Sequence, residues 1–192
     1  APLRGFESGP CLCFPRQGEF HPLKYLAAIV QAIQRLGGKI YSGTHAETFE
    51  GGQPARVRTS DGLTVTADAL VVATNTPVND WVEIHTKQYT YRTYVVGARV
   101  TTGSVTKAMF WDGFWRSHEP YHYVRLECLA DDTEMLIVGG EDHKTGQDDE
   151  RRDRFANLEA WARSRFSEMG PVELRWSGQV MEPVDGLAFI GH

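Results

Sequence analysis

The chain has 192 residues, 41% of them hydrophobic and 23% charged, with a formal net charge of −5. That length allows one sizeable core or two modest ones, and the ordinary composition excludes wholesale disorder. The acidic balance argues against nucleic acid or an anionic membrane as partner, and no apolar run approaches the ~20 residues a bilayer crossing needs.

No signal peptide is visible. Three cysteines, Cys11, Cys13 and Cys128, are an odd count at uneven spacing. They make no disulfide framework, which fits a reducing compartment and a cytoplasmic protein. Cys11-x-Cys13 would be half of a metal site, but no second pair completes it at usable spacing, so no metal site is assigned. The chain opens at Ala1 without methionine and closes directly after an apolar segment, so both ends read as cut or trimmed from something longer.

Residues 1–18 are rich in Gly and Pro, with a short strand expected at Cys11 to Phe14. From Pro22 the pattern is helical: Leu23, Leu26, Ala27, Val30 and Ile33 share one face. Pro22 suits the first turn, where a missing N–H costs nothing, and Gly37-Gly38 suits the stop. A short strand is expected at Lys39 to Ser42. Three more follow at Thr44 to Glu50, Ala55 to Thr59 and Leu63 to Thr66, with Gly51-Gly52 and Asp61-Gly62 as the turns between them.

The stretch ADALVVATNTPVND, 67–80, is the pivot of the chain. Its run Ala69 to Ala73 has no alternation, as in a strand covered on both faces, and stops at Thr74, Asn75, Thr76 and Pro77. Ligands of open α/β sheets lie beyond the carboxyl ends of such strands. Read alone, the segment is equally a buried strand ending in a polar turn.

Beyond Pro77, strands rich in aromatic and β-branched residues are expected at Tyr89 to Val100, Ala108 to Trp111, Tyr121 to Leu129 and Met135 to Gly139. They would make a largely antiparallel sheet. A second helix is expected over Asp148 to Phe166, with Phe155, Leu158, Trp161, Ala162 and Phe166 inward. Acidic residues at its start and Arg163 and Arg165 near its end suit the helix dipole, and Gly170-Pro171 marks the stop. A last strand, Val172 to Gln179, leads through Glu182-Pro183-Val184-Asp185-Gly186 to Leu187 to Ile190.

Four pieces, in order, carry a resemblance. They are FHPLKYLAAIVQAIQRLGGKIYSGTHAE, ADALVVATNTPVND, LIVGGEDHKTGQ and RWSGQVMEPVDGLAFIG, and they cover nearly the whole chain from about residue 10 onward. This set resembles the FAD-dependent oxidoreductases of the D-amino-acid oxidase/glycine oxidase (DAO) family. Its wording resembles the branch in which the flavin domain is followed by a Rieske 2Fe-2S domain. The resemblance implies an α+β protein: an incomplete FAD/NAD(P)-binding fold of the glutathione-reductase type plus a mainly antiparallel substrate domain. Residues 1–85 would belong to the FAD-binding part, 86–178 to the substrate domain, and 179–192 would return to the first.

The family's Gly-rich G-x-G-x-x-G turn, which places the pyrophosphate at a helix N-terminus, does not occur here, nor does the acidic residue about 20 positions further on. The missing N- and C-terminal parts would therefore be the nearest partners, and this polypeptide alone is expected not to hold FAD tightly.

By the resemblance, Ala46 lies near the adenine through its backbone, Ala73, Thr74 and Asn75 lie near the nucleotide, and Gly191 lies in the closing segment beside the cofactor. Asn75, where the family has glycine, suits a residue needing positive φ. Amino-acid-oxidising members commonly place a carboxylate-clamping arginine where this chain has Val180. The small-molecule substrate is then an amine, or a modified amino acid without a free α-carboxylate, unless another cation serves. Arg92, Tyr94 and Tyr123 are the substrate-side candidates, with Arg99, Arg125, Tyr91 and Tyr121 as further sheet residues. His143 and Lys144 invite an acid/base reading, and Asp142 and His143 a metal reading with a distant His85 or His122. A polar turn is the alternative to both. Amine oxidation by flavin requires no obligatory base, so no catalytic residue is assigned.

The expectation is thus the central part of a FAD-dependent oxidoreductase acting on a C–N bond, with electrons passing to oxygen or an iron–sulfur partner. A non-catalytic β-rich binding module and a flavin dehydrogenase of unrelated substrate class are the alternatives.

Overall fold

The computed structural model of the protein describes residues 9–78, 82–112, 121–129, 131–147 and 153–191. It is an α+β chain with two antiparallel sheets, and it divides into two units, Leu12–Trp81 and the remainder.

In the first unit, helix α1 (Pro22–Arg35) starts as its sequence dictates, with Pro22 in the opening turn and the His21 side chain accepting from the Lys24 N–H. It stops at glycine. Gly37 takes φ +86°, its N–H reaches the Gln34 carbonyl, and the Gly38 N–H reaches that of Ile33. These paired bonds satisfy carbonyls that the helix end would otherwise orphan. No residue of α1 is buried, and Leu23, Leu26 and Ile33 on its apolar stripe stay exposed.

Strands β1 (Ala46–Glu50), β2 (Ala55–Thr59) and β3 (Thr64–Ala67) form an antiparallel meander in the order β1-β2-β3. Its second turn uses Gly62 at φ +86°, and the Thr59 hydroxyl accepts the Leu63 N–H. The strands expected at 11–14, 39–42 and 69–73 are not formed; each segment is extended or irregular and carries no ladder. A strand exists only through its neighbours, and the described residues offer these runs none. Val71, expected to be covered on both faces, is 84% exposed.

The second unit is a five-stranded antiparallel sheet with one helix on it. A 3-10 turn at His85–Lys87 leads into β4 (Gln88–Val100), followed by β5 (Phe110–Trp111), β6 (His122–Cys128), β7 (Glu134–Lys144) and β8 (Val172–Pro183). The spatial order is β5-β6-β7-β4-β8. Strands β7 and β8 run past the expected ends at Gly139 and Gln179, because the long β4 pairs with both to their ends.

Helix α2 (Arg154–Arg165) is capped by Asp153, whose side chain accepts from the Ala156 N–H. The first residues of the expected helix, 148–152, lie outside the described residues, and with them the acidic start. The helix ends at Phe166, ahead of Gly170-Pro171. Leu158, Ala162 and Phe166 are buried against Val96, Ala98, Val124, Leu136 and Val138, with Phe155 and Trp161 alongside. This is the main core of the unit.

Alternation along the strands then decides everything else. Tyr94, Val96 and Ala98 of β4, and His122, Val124 and Leu126 of β6, point toward α2. Their neighbours, Tyr91, Thr93 and Val95 of β4 and Tyr123 and Arg125 of β6, point to the other face. One irregularity breaks this regularity. Between Tyr94 opposite Gly140 and Arg92 opposite His143, β7 carries one residue more than β4. The bulge takes Gly140 to φ +149° and Glu141 to φ +57°.

Candidate functional site on the open face of the sheet

The two faces of the five-stranded sheet differ in chemistry. Under α2, a buried polar cluster surrounds His122. Its Nδ1 lies 3.0 Å from Asp112 Oδ2, its Nε2 3.7 Å from Glu141 Oε1, and its ring stacks on Trp161 at 4.0 Å. Arg154 and Asn157 of α2 reach the same Glu141 carboxylate at 3.5 Å. Burial pushes the Asp112 carboxyl up, but hydrogen bonds from the His122 ring and backbone outweigh it and leave the pKa below the usual range. The cluster fastens the helix to the sheet.

The opposite face is aromatic and partly open. Tyr123 sits opposite Gly139, and its hydroxyl is 3.2 Å from Thr93 Oγ1. A Cβ at position 139 would fall within the Tyr123 ring, so glycine is what lets the ring lie across β7. The Tyr121 ring is 6.2 Å from that of Tyr123 and 6.2 Å, edge to face, from Trp111. Its hydroxyl donates to Asp142 Oδ2 at 2.8 Å. Burial first, then the neighbouring Asp142 and Glu182 charges, raise the Tyr121 pKa well above the ordinary phenol value; burial also raises that of Tyr123. Both phenols are neutral across the physiological range, and Tyr121 is a donor, to Asp142.

The residues singled out from sequence are therefore not assembled as one group. Tyr123 and Tyr91 are on the open face. Tyr94 is beneath α2, edge to face with Phe155 at 5.0 Å and stacked on His143. Arg92 shares the face of Tyr94 and donates to the Ser177 hydroxyl at 3.1 Å. Arg99 is engaged at the surface by Asp131, Glu173 and Thr133. His143 and Lys144 point to opposite faces, the lysine Nζ lying 4.5 Å over the Tyr89 ring, so they form no acid/base pair. Among the described residues no three His, Cys, Asp or Glu side chains converge as a metal site. Val180 lies opposite Tyr91 on the open face, 42% exposed. Thr93 and Gly139 escaped the sequence reading. The Gly139-Gly140 pair was their only trace there, and it resembles a turn signal.

In the first unit, Ala73, Thr74 and Asn75 are exposed. Asn75 adopts φ +63°, the conformation that glycine would otherwise supply, and the Thr74 hydroxyl donates to the Thr76 carbonyl at 2.7 Å. Ala46 is exposed where β1 shifts register. Small side chains, an open backbone and a left-handed residue suit the close approach of a nucleotide, so these residues fit the FAD group. Gly191 belongs to the second unit; a Cβ there would meet nothing within 4 Å, so the described backbone gives no reason for glycine.

A helix–meander unit with an exposed corner at Ala73 to Asn75, followed by a helix-backed antiparallel sheet with an aromatic open face, defines a flavin-oxidoreductase type of chain. The family model for FAD dependent oxidoreductases, DAO, matches residues 1–192, and the chain belongs to that family. It is also similar to the "Putative Rieske 2Fe-2S iron-sulfur protein YhfW" of Bacillus subtilis (strain 168), 24% identical over 181 residues. That alignment covers 94% of this chain and 34% of the relative, so the chain spans about a third of that protein's length. No helix among the described residues is long and apolar enough to cross a membrane.

Proposed function

We propose that this chain is the central part of a cytoplasmic FAD-dependent oxidoreductase whose complete form oxidises a C–N bond of an amine or amino-acid-like substrate. The flavin supplies the hydride acceptor. This chain's part is to orient and desolvate the substrate over the open sheet face. The observation that carries the reading is the composition of that face. Tyr121, Tyr123, Tyr91 and Thr93 share that face with Val180, which pairs with Tyr91 and stands at the position where amino-acid-oxidising relatives would place a carboxylate-clamping guanidinium. An amine without a free α-carboxylate needs no such clamp.

The glutathione-reductase-type architecture of the FAD-binding part is supported by α1 and by the run at 69–73. An amphipathic helix with its apolar face bare, and an apolar segment without a ladder, are pieces of a layered sheet that further parts of the same protein would complete. By the same argument this polypeptide by itself binds FAD weakly and is inactive. The similarity to a Rieske-named relative supports an iron–sulfur domain as the electron acceptor.

The test is flavin bleaching. The full-length protein, mixed anaerobically with a panel of primary, secondary and tertiary amines, is expected to lose its oxidised-flavin absorbance with at least one of them. A flavin that no amine reduces would remove the C–N assignment.

A further inference from the structure

Asp142 is not used by the fold in the way its neighbours on β7 are. Glu141 turns under α2 to meet Arg154 and Asn157, and Lys144 covers Tyr89. Asp142 crosses to the open face, where one carboxylate oxygen accepts from Tyr121. Its other oxygen, Oδ1, is shielded from solvent and has no hydrogen-bond partner among the described residues. A carboxylate oxygen withheld from water with no donor is a strong acceptor in want of one. The surroundings state what kind of donor. Tyr121 holds the carboxylate, the Tyr123 ring lies beside Tyr121 and feels the Asp142 charge, and Trp111 packs against Tyr121; aromatic ring faces attract cations. Glu182 adds a second negative charge close enough to raise the Tyr121 phenol, against the single Lys144 ammonium on that side of β7.

We infer that Asp142, held by Tyr121 beside the Tyr123 ring, is the subsite for a ligand's ammonium group. The inference deepens the amine reading above, and rests on it for the ligand's being a substrate. It assigns recognition of the protonated nitrogen to a carboxylate–aromatic pair on the sheet face. Tyr121 and Thr93 act as positioning residues, the first fixing the carboxylate and the second the Tyr123 ring.

The experiment uses the full-length, flavin-loaded protein and equilibrium dialysis of three probes of one shape: benzylammonium, benzyl alcohol and benzoate. Charge-assisted hydrogen bonding should favour benzylammonium over the alcohol by about tenfold or more, with benzoate weakest. Asp142→Asn should erase that preference, whereas Tyr121→Phe, which keeps the negative charge but removes the bond that fixes it, should weaken the preference only in part. Equal binding of the three probes by the unaltered protein, or no binding of benzylammonium, overturns the inference without recourse to any variant. So does a preference that survives in Asp142→Asn. The two readings fail separately. Amines that reduce the flavin with an unchanged KM in Asp142→Asn would remove the subsite and leave the reaction. Benzylammonium bound selectively through Asp142, with no amine reducing the flavin, would keep the subsite and remove the reaction.

Discussion

Gly139→Ala tests how the open face is built. The backbone at 139 lies outside the left-handed region, so alanine is conformationally permitted, and by strand propensity alone the change would stabilise by about 0.5–1 kcal/mol. The structure reverses that sign. A methyl at 139 would lie inside the Tyr123 ring, against Cζ, Cε2 and the hydroxyl. The ring cannot tilt away without giving up its contact with Thr93 Oγ1 at 3.2 Å. Crowding a packed site costs about 1–3 kcal/mol, and the lost hydrogen bond about 0.5–1.5 kcal/mol. After the propensity gain the net destabilisation is about 0.5–4 kcal/mol, centred on ~2, a sizeable fraction of a typical domain's stability. Urea denaturation followed by tryptophan fluorescence measures it as a lowered midpoint at unchanged slope. A double-mutant cycle with Tyr123→Ala isolates the clash, because the penalty of Gly139→Ala should largely vanish when the ring is gone. An unchanged or raised midpoint in the single variant would show that Tyr123 is not held across Gly139.

Other expectations follow from packing and charge. Leu158→Ala, at the fully buried centre of α2, should cost about 2–5 kcal/mol in the same denaturation assay, whereas a surface leucine such as Leu63 should cost far less. Asp153→Ala removes the cap that accepts the Ala156 N–H and should cost about 0.5–2 kcal/mol, with Asp153→Asn close to neutral. The raised phenol pKa values of Tyr121 and Tyr123 mean that the unfolded chain ionises these tyrosines first. Their contribution is full below the ordinary phenol pKa of about 10 and is lost as pH rises through the folded values. Tyrosinate absorbance should show two tyrosines titrating late, and Asp142→Asn should bring Tyr121 earlier. Asp131, hydrogen-bonded first by Thr133 and then by Arg99, is pulled down to about 2; its contribution is present above the ordinary carboxylate pKa and lost as pH falls toward 2. Carboxyl NMR titration of Arg99→Ala should show it rising but still depressed, because the Thr133 bond remains.

Local signals in the sequence suffice where one element contains its own reason. Helix α1 has proline at its start and glycine at its stop, and both act as their chemistry requires, while the apolar stripe between them meets no cover among the described residues. The meander has Asp61-Gly62 to turn it, and α2 carries Leu158, Ala162 and Phe166 at helical spacing. Failures came where the reason lies in another strand. The runs at 39–42 and 69–73 have the composition of covered strands but no neighbour to pair with among the described residues. In β4 both faces carry tyrosines and β-branched residues, so alternation could not say that Tyr94 belongs under the helix and Tyr91 outside it. Arg92, Tyr94 and Tyr123 look equivalent as letters and are separated by the thickness of a sheet. Gly139-Gly140 read as the end of a strand because glycines usually punctuate; here one makes room for a ring and the other begins a bulge. At Asn75, where the resemblance implies glycine in relatives, the asparagine takes the positive φ that such a replacement demands.

The extra residue in β7 works as a switch of sides. Paired in regular register without the bulge, the same sequence would set Asp142 rather than His143 opposite Arg92, its carboxylate would turn beneath α2 beside Tyr94, and Tyr121 would lose its acceptor. Deleting Glu141 instead removes the bulge by shortening the strand: Asp142 would then pair with Thr93 on the open face, and His143 would keep its place opposite Arg92. In this sequence the place of the bulge, and no change of side-chain type, is what puts an anion among the tyrosines.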